Sequence, residues 1–146
     1  MTEQPVIRVS ALLAVDRDGR LLVVRKRGTS VWMQPGGKPE PGESPAETLA
    51  RELHEELGVS IHPDALEPLG QFTTAAANEA RTTLVADVFR APAIDPATDP
   101  LAGTLTAAAE IDDMQWMHPR DMPAHAVAPL ITEHMLALLP STANDS

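Results

Sequence analysis

Three glutamates, Glu52, Glu55 and Glu56, stand close together behind Arg51, and a further acid, Glu43, and a glycine pair, Gly36–Gly37, precede them. On a helix turning about 100° per residue, the three acids project from one arc, with Glu52 and Glu56 a turn apart and Glu55 between them in angle. Like charges this dense repel one another unless a cation lies among them. Hard divalent cations take oxygen ligands and keep some of their waters, so a few carboxylates and a substrate's phosphates suffice. A glycine pair lets backbone approach a ligand closely and offers carbonyl oxygens of the same hard type. Arg51, at i,i+4 from Glu55, is placed to hold that carboxylate. An acidic arc is also an ordinary solvated helix face. The preceding loop, with its glycines and Glu43, favours a metal site.

These groups need a helix, and its limits are legible. Ser44, Pro45 and Glu47 supply an N-cap, a first-turn proline and the far side of a capping box, and Gly58 sits where a C-terminal cap belongs. Ala46, Leu49, Ala50, Leu53 and Leu57 recur at helical spacing, an apolar stripe that must be covered. The spacing predicts strands over 6–15 and 20–27, joined by the turn Asp16 to Gly19, and further strands over 66–75, 82–91 and 114–117. Arg25 and Arg27 would then share one strand face. Residues 129–139 read as a C-terminal helix, 92–109 as a surface loop and 141–146 as a frayed, disordered tail. Strands and helices alternate without a strict βαβ rhythm. The expected fold class is therefore α/β, a mixed β-sheet covered by helices, in one domain over 1–140.

The chain has 146 residues, 43% of them hydrophobic, and a formal charge of −10. That balance argues against nucleic-acid polymers and anionic membranes, which require basic surface. A small anionic substrate stays open, because a bound divalent metal inverts the local field. Cysteine is absent from the sequence, which leaves neither disulfides nor thiolate metal sites. With no apolar run long enough to span a bilayer and no basic start leading into one, a cytoplasmic location is expected.

Taken together, Gly37, Glu43, Arg51-Glu52-Leu53, Glu55-Glu56 and Gly58-Val59 resemble the signature of the Nudix hydrolase family, every defining position being filled at the family's spacing. The signature covers 37–59, and the strand order around it is similar to the family's α/β/α sandwich. The resemblance implies Mg²⁺- or Mn²⁺-dependent hydrolysis of a phosphate anhydride in a nucleoside diphosphate-linked substrate. It implies Glu52, Glu55 and Glu56 as metal ligands, joined by Gly36 through its carbonyl and by Glu110 as a late-loop acid. Arg51 would orient the acids, and Glu43 would stabilise the loop–helix junction. Metal charge would then offset the acidic repulsion, so metal-free protein should be the less stable form. Water activation needs a carboxylate base, for which Glu52 and Glu55 are candidates and Glu52 the choice.

Substrate class is approached by elimination. Thr73 to Ala77 lacks the proline of the ADP-ribose type, the chain has no tyrosine for the dinucleoside polyphosphate type, and Met33-Gln34-Pro35 departs from the coenzyme A motif. The downstream aromatic motif of the NADH type is missing too. A MutT-like nucleoside triphosphate pyrophosphohydrolase remains, with ADP-ribose, nucleotide-sugar or dinucleoside polyphosphate hydrolysis as the alternative. Arg25, Arg27, Lys38 and Arg81 are candidate substrate contacts, with Lys26 and Asn78 beside them; the basic run reads equally as a solvated strand end, and Asn78 and Arg81 read first as a plain turn. Trp32 is the candidate stacking platform or, equally, a core tryptophan. Trp116 reads as core and His54 as helix surface. Two rival readings are a nucleotide-sensing module, which would usually have lost a signature acid, and a merely solubilising acidic patch. A homodimer is compatible with such a fold, although no interface is legible.

Overall fold

The computed structural model describes residues 5–16, 18–76, 81–91, 111–124 and 126–139. Two small sheets form its centre. The first has strand order β4-β1-β6-β5, from β1 (Val6–Leu13), β4 (Gly36–Gly37), β5 (Glu67–Ala75) and β6 (Thr83–Arg90). It is mixed: β1 runs parallel to β6, while β4 and β5 are antiparallel to their neighbours. The second, antiparallel throughout, has order β3-β2-β7, from β2 (Leu21–Lys26), β3 (Trp32–Met33) and β7 (Ile111–Met117). A turn built on Asp16, whose side chain accepts from the amides of Asp18 and Arg20, folds β1 back into β2.

β1 and β2 are apolar without alternation at their centres because both faces are covered. Leu12, Ala14, Leu22 and Val24 pack with Leu49, Leu53 and Leu57 of helix α1 (Pro45–Leu57). Ala11, Leu13, Leu21 and Val23 face the opposite way, onto Met122, Leu130, Ile131 and Met135. Helical layers on both sides make this an α/β/α sandwich. Each of the three buried helix leucines contributes about 2 kcal/mol of burial.

α1 has the limits its sequence implies. The capping box of Ser44 and Glu47 closes in both directions, and Gly58 adopts the left-handed cap with φ of 70°. The C-terminal layer differs from the expected uniform helix. It has no side-chain cap, and it forms a wide π turn over Ile131–Met135 followed by a 3₁₀ turn over Leu136–Leu138. β7 begins before the expected Met114, at Ile111, because a bulge beside Asp112 hides the alternation: Arg25 pairs with Asp113 but Lys26 with Ile111. The expected loop at 92–109, the tail at 141–146, Asn78 and Glu110 lie outside the described residues. Among the described residues no helix is long and apolar enough to cross a membrane.

Candidate active site

The site is built where β4 lies against α1. Gly36 and Gly37 pair with Ala11 and Ser10 of β1, and the Ser10 hydroxyl donates to the Pro45 carbonyl at 2.7 Å, tying the helix start to the sheet. Each glycine keeps open a space that a side chain would fill. A Cβ on Gly36, whose φ is +144°, would meet the Ser10 carbonyl oxygen, and a Cβ on Gly37 would fall on the Glu52 carboxylate. The missing side chain at Gly37 is the space that the Glu52 carboxylate uses.

Arg51 is the hub of the acidic groups. Its Nε donates to Glu43 Oε2 at 2.6 Å, its Nη1 to Glu55 at 3.2 Å and its Nη2 to the Lys38 carbonyl at 2.8 Å, and Nη1 also lies 3.4 Å from Glu52. Glu43 receives further bonds from the Glu40 amide and the Thr48 hydroxyl, so one carboxylate fastens the loop to the first turns of α1. These bonds, led by Arg51, hold the Glu43 pKa down at about 2, and Glu43 in turn pushes that of Arg51 further up.

The signature acids occupy three different settings. Glu52, with a side chain only 16% exposed, has its pKa raised, mainly by burial, while Arg51 and Lys26 pull it the other way. Glu56 is buried and accepts from the Gly36 amide at 3.4 Å. Glu55 is 49% exposed and turned towards Arg51. The sequence implies that the three acids converge. Instead, among the described residues, no three acidic or imidazole groups are gathered closely enough to hold a metal ion. Arg51 draws Glu55 outward, and the Gly36 amide holds Glu56. The donor chemistry nevertheless fits a hard cation, since Glu52, Glu56 and the Gly36–Gly37 backbone line one cleft with oxygen ligands to offer.

That cleft has a volume of about 720 Å³. Its lining is polar at Glu52, Glu56, Lys26, Arg27 and Lys38 and apolar at Ile7, Val9, Leu84 and Leu130. Ala128 and Leu130 reach it because the Trp32 backbone bonds to Ala126 and Ala128, at 2.8 Å each, stitching the C-terminal segment to β3.

Arg27 and Lys38 therefore line the cleft, whereas three other expected substrate contacts do not. Arg25 points away, pairing with Asp112 at 3.1 Å and covering the Trp32 ring with its guanidinium 5.1 Å from the centroid. The shared face expected for Arg25 and Arg27 is lost because β2 ends at Lys26 and the chain turns at Gly28. Trp32 is a core residue, 8% exposed, packed with Leu13, Leu21 and Ile131. Arg81 is exposed, in a left-handed turn with φ of 56°. His54 is exposed and Trp116 half-buried against the α1 side of the core, as read from the sequence. Sequence reasoning passed over Gln34, which is buried on the cleft wall; its one signal was an amide between Met33 and Pro35 in an otherwise apolar approach to the glycines.

Residues 5–139 match the family model for the NUDIX domain, and the chain belongs to that family of hydrolases. A "MutT-like protein" of Streptomyces ambofaciens is 32% identical over 122 residues, 83% of this chain and 70% of the relative. A "CTP pyrophosphohydrolase" of Escherichia coli (strain K12) is 43% identical over 49 residues, covering 31% of this chain and 36% of that protein. The chain thus spans little more than a third of that second relative. Among solved structures, the E. coli ORF135 protein superposes with a TM-score of 0.65 at 26% identity, over 92% of this chain and 91% of its own.

Proposed function

We propose that the protein is a divalent-metal-dependent pyrophosphohydrolase acting on a nucleoside phosphate anhydride, with a nucleoside triphosphate cleaved to monophosphate and pyrophosphate as the favoured reaction. One observation carries this reading: the cleft joins a carboxylate pair, Glu52 and Glu56, to three cations, Lys26, Arg27 and Lys38, that match a polyphosphate. Family membership and the triphosphate named for the E. coli relative support it.

Glu52 and Glu56, with the Gly36 carbonyl and Glu55, are the residues we assign to Mg²⁺ or Mn²⁺. Glu110 is kept as a further acid ligand on its sequence position. When bound, the metal neutralises charge developing on phosphate oxygens and acidifies a water. The chain's own residues do the rest. Lys26, Arg27 and Lys38 hold the phosphates. Arg51 and Glu43 fix the helix against the loop and so position the acids. Glu52 accepts a proton from the water as the water oxygen bonds to phosphorus. The anhydride P–O bond breaks and its electrons leave on the departing phosphate oxygen.

The test is to incubate the protein with Mg²⁺ and separate pools of dNTPs, oxidised dNTPs, ADP-ribose and dinucleoside polyphosphates, then identify the products. Monophosphate with pyrophosphate from a triphosphate is the expected result. Turnover of only ADP-ribose or a dinucleotide would overturn the triphosphate assignment. No turnover, with metal still bound, would replace the enzyme by a nucleotide-sensing module.

A further inference from the structure

Gln34 is 7% exposed, lies on the wall of the cleft, and its Oε1 has no hydrogen-bond partner. A buried acceptor left unpaired is costly and uncommon, and so requires a reason. Among the described residues, three neighbours have no donor to spare. Pro35 lacks an N–H, the Ser10 hydroxyl is committed to the Pro45 carbonyl, and the Gly36 amide is committed to Glu56. The terminal torsion of glutamine is soft, so the carboxamide can turn its oxygen towards a donor entering the cleft.

The surroundings restrict that donor. Lys26, Arg27 and Lys38 line the same cleft, which disfavours a cationic group. Ile7, Val9, Leu84 and Leu130 form an apolar wall suited to a flat ring. A neutral N–H on a planar heterocycle meets both conditions. On the nucleotide reading above, on which this step rests, we infer that Gln34 is a specificity-determining residue that accepts a hydrogen bond from the exocyclic amino group of the substrate's base. Sites built to bond a substrate N–H reject analogues lacking it far more strongly than apolar pockets reject a change of size.

The experiment compares kcat/KM, with Mg²⁺, for ATP and CTP against their deamino analogues, purine riboside triphosphate and pyrimidin-2-one riboside triphosphate. It uses the unaltered protein, Gln34→Met and Gln34→Glu. The methionine variant keeps the volume without the amide, which protects the fold. The unaltered protein is expected to favour an amino-bearing base about tenfold or more over its deamino analogue. Gln34→Met should abolish that preference while turning over the deamino analogue within about threefold of the parent, the analogue having no amide bond to lose. Gln34→Glu, which keeps an acceptor, should retain the preference, and this holds the inference to account if the methionine variant fails to fold. Equal preference in the parent and Gln34→Met would overturn it. So would a loss that follows the ribose 2′-hydroxyl when dATP and dCTP are included. If the unaltered protein hydrolyses no nucleotide at all, the nucleotide reading falls first, a distinguishable result.

Discussion

Two acids that share Arg51 respond to pH in opposite directions, one held down by that arginine and the other raised by burial against its pull. Glu43, bonded to Arg51, is depressed from 4.5 to about 2. Its contribution to stability is fully present above 4.5 and is lost as pH falls from 4.5 through about 2. Glu43→Gln should therefore lower the thermal midpoint at neutral pH and flatten its fall between those values, as read by melts across an acid series. Glu52 is raised by burial. Whatever it adds is present below 4.5 and disappears as pH rises through its elevated folded value, so its ionised form burdens the metal-free protein at neutral pH. Glu52→Gln should match or exceed the parent in metal-free melts at pH 7, yet lose about 10²-fold or more in turnover. A variant less stable than the parent would argue that the Glu52 charge is satisfied within the protein.

At the scale of elements, the glycine pair separates folding from function. Gly36→Ala sets a methyl against the Ser10 carbonyl at a φ that L-residues rarely adopt, and should destabilise by about 2 kcal/mol or more in denaturant titrations. Gly37→Ala meets a side chain, Glu52, which can yield. Its expected cost falls on activity, about tenfold or more, with a smaller loss of stability. Helix α1 was legible to the residue, because the capping box, the terminal glycine and the apolar stripe are local signals. The destination of Arg25 was not. Period-two alternation assumes an unbroken strand, whereas β2 stops at Lys26 and the bulge beside Asp112 sets a carboxylate next to Arg25. Whether Trp32 stacks on a ligand or fills the core was undecided for a related reason, and the core reading is the one that holds: nearness to the glycine loop in sequence says nothing of which face a two-residue strand presents.

Over the whole molecule, acidic groups dominate, and a formal charge of −10 makes ligand binding a matter of cations. Mg²⁺ a hundredfold above its Kd should raise the thermal midpoint by roughly 5–10 °C, reversibly on chelation. The double substitution Glu55→Ala with Glu56→Ala should abolish that rise. An undiminished rise would mean that the acids serve only as a solvated face. The layered α/β/α arrangement was legible in outline because continuous apolar strands need cover on both faces. Gln34 was not, since its isolation arises from what Ser10, Pro35 and Gly36 do with their own donors. That accounting exists only once the chain has folded.

The bond from the Gly36 amide to Glu56 also makes the protein its own indicator. In a ¹⁵N-labelled sample, glycine amides resonate apart from most others, and the proton of a hydrogen-bonded amide shifts with the charge and position of its acceptor. Titrating in a diamagnetic cation should displace the Gly36 cross-peak as Glu56 changes partner, while Gly19, in the distant Asp16 turn, stays still. A single resonance would then report occupancy of the cleft without substrate or turnover.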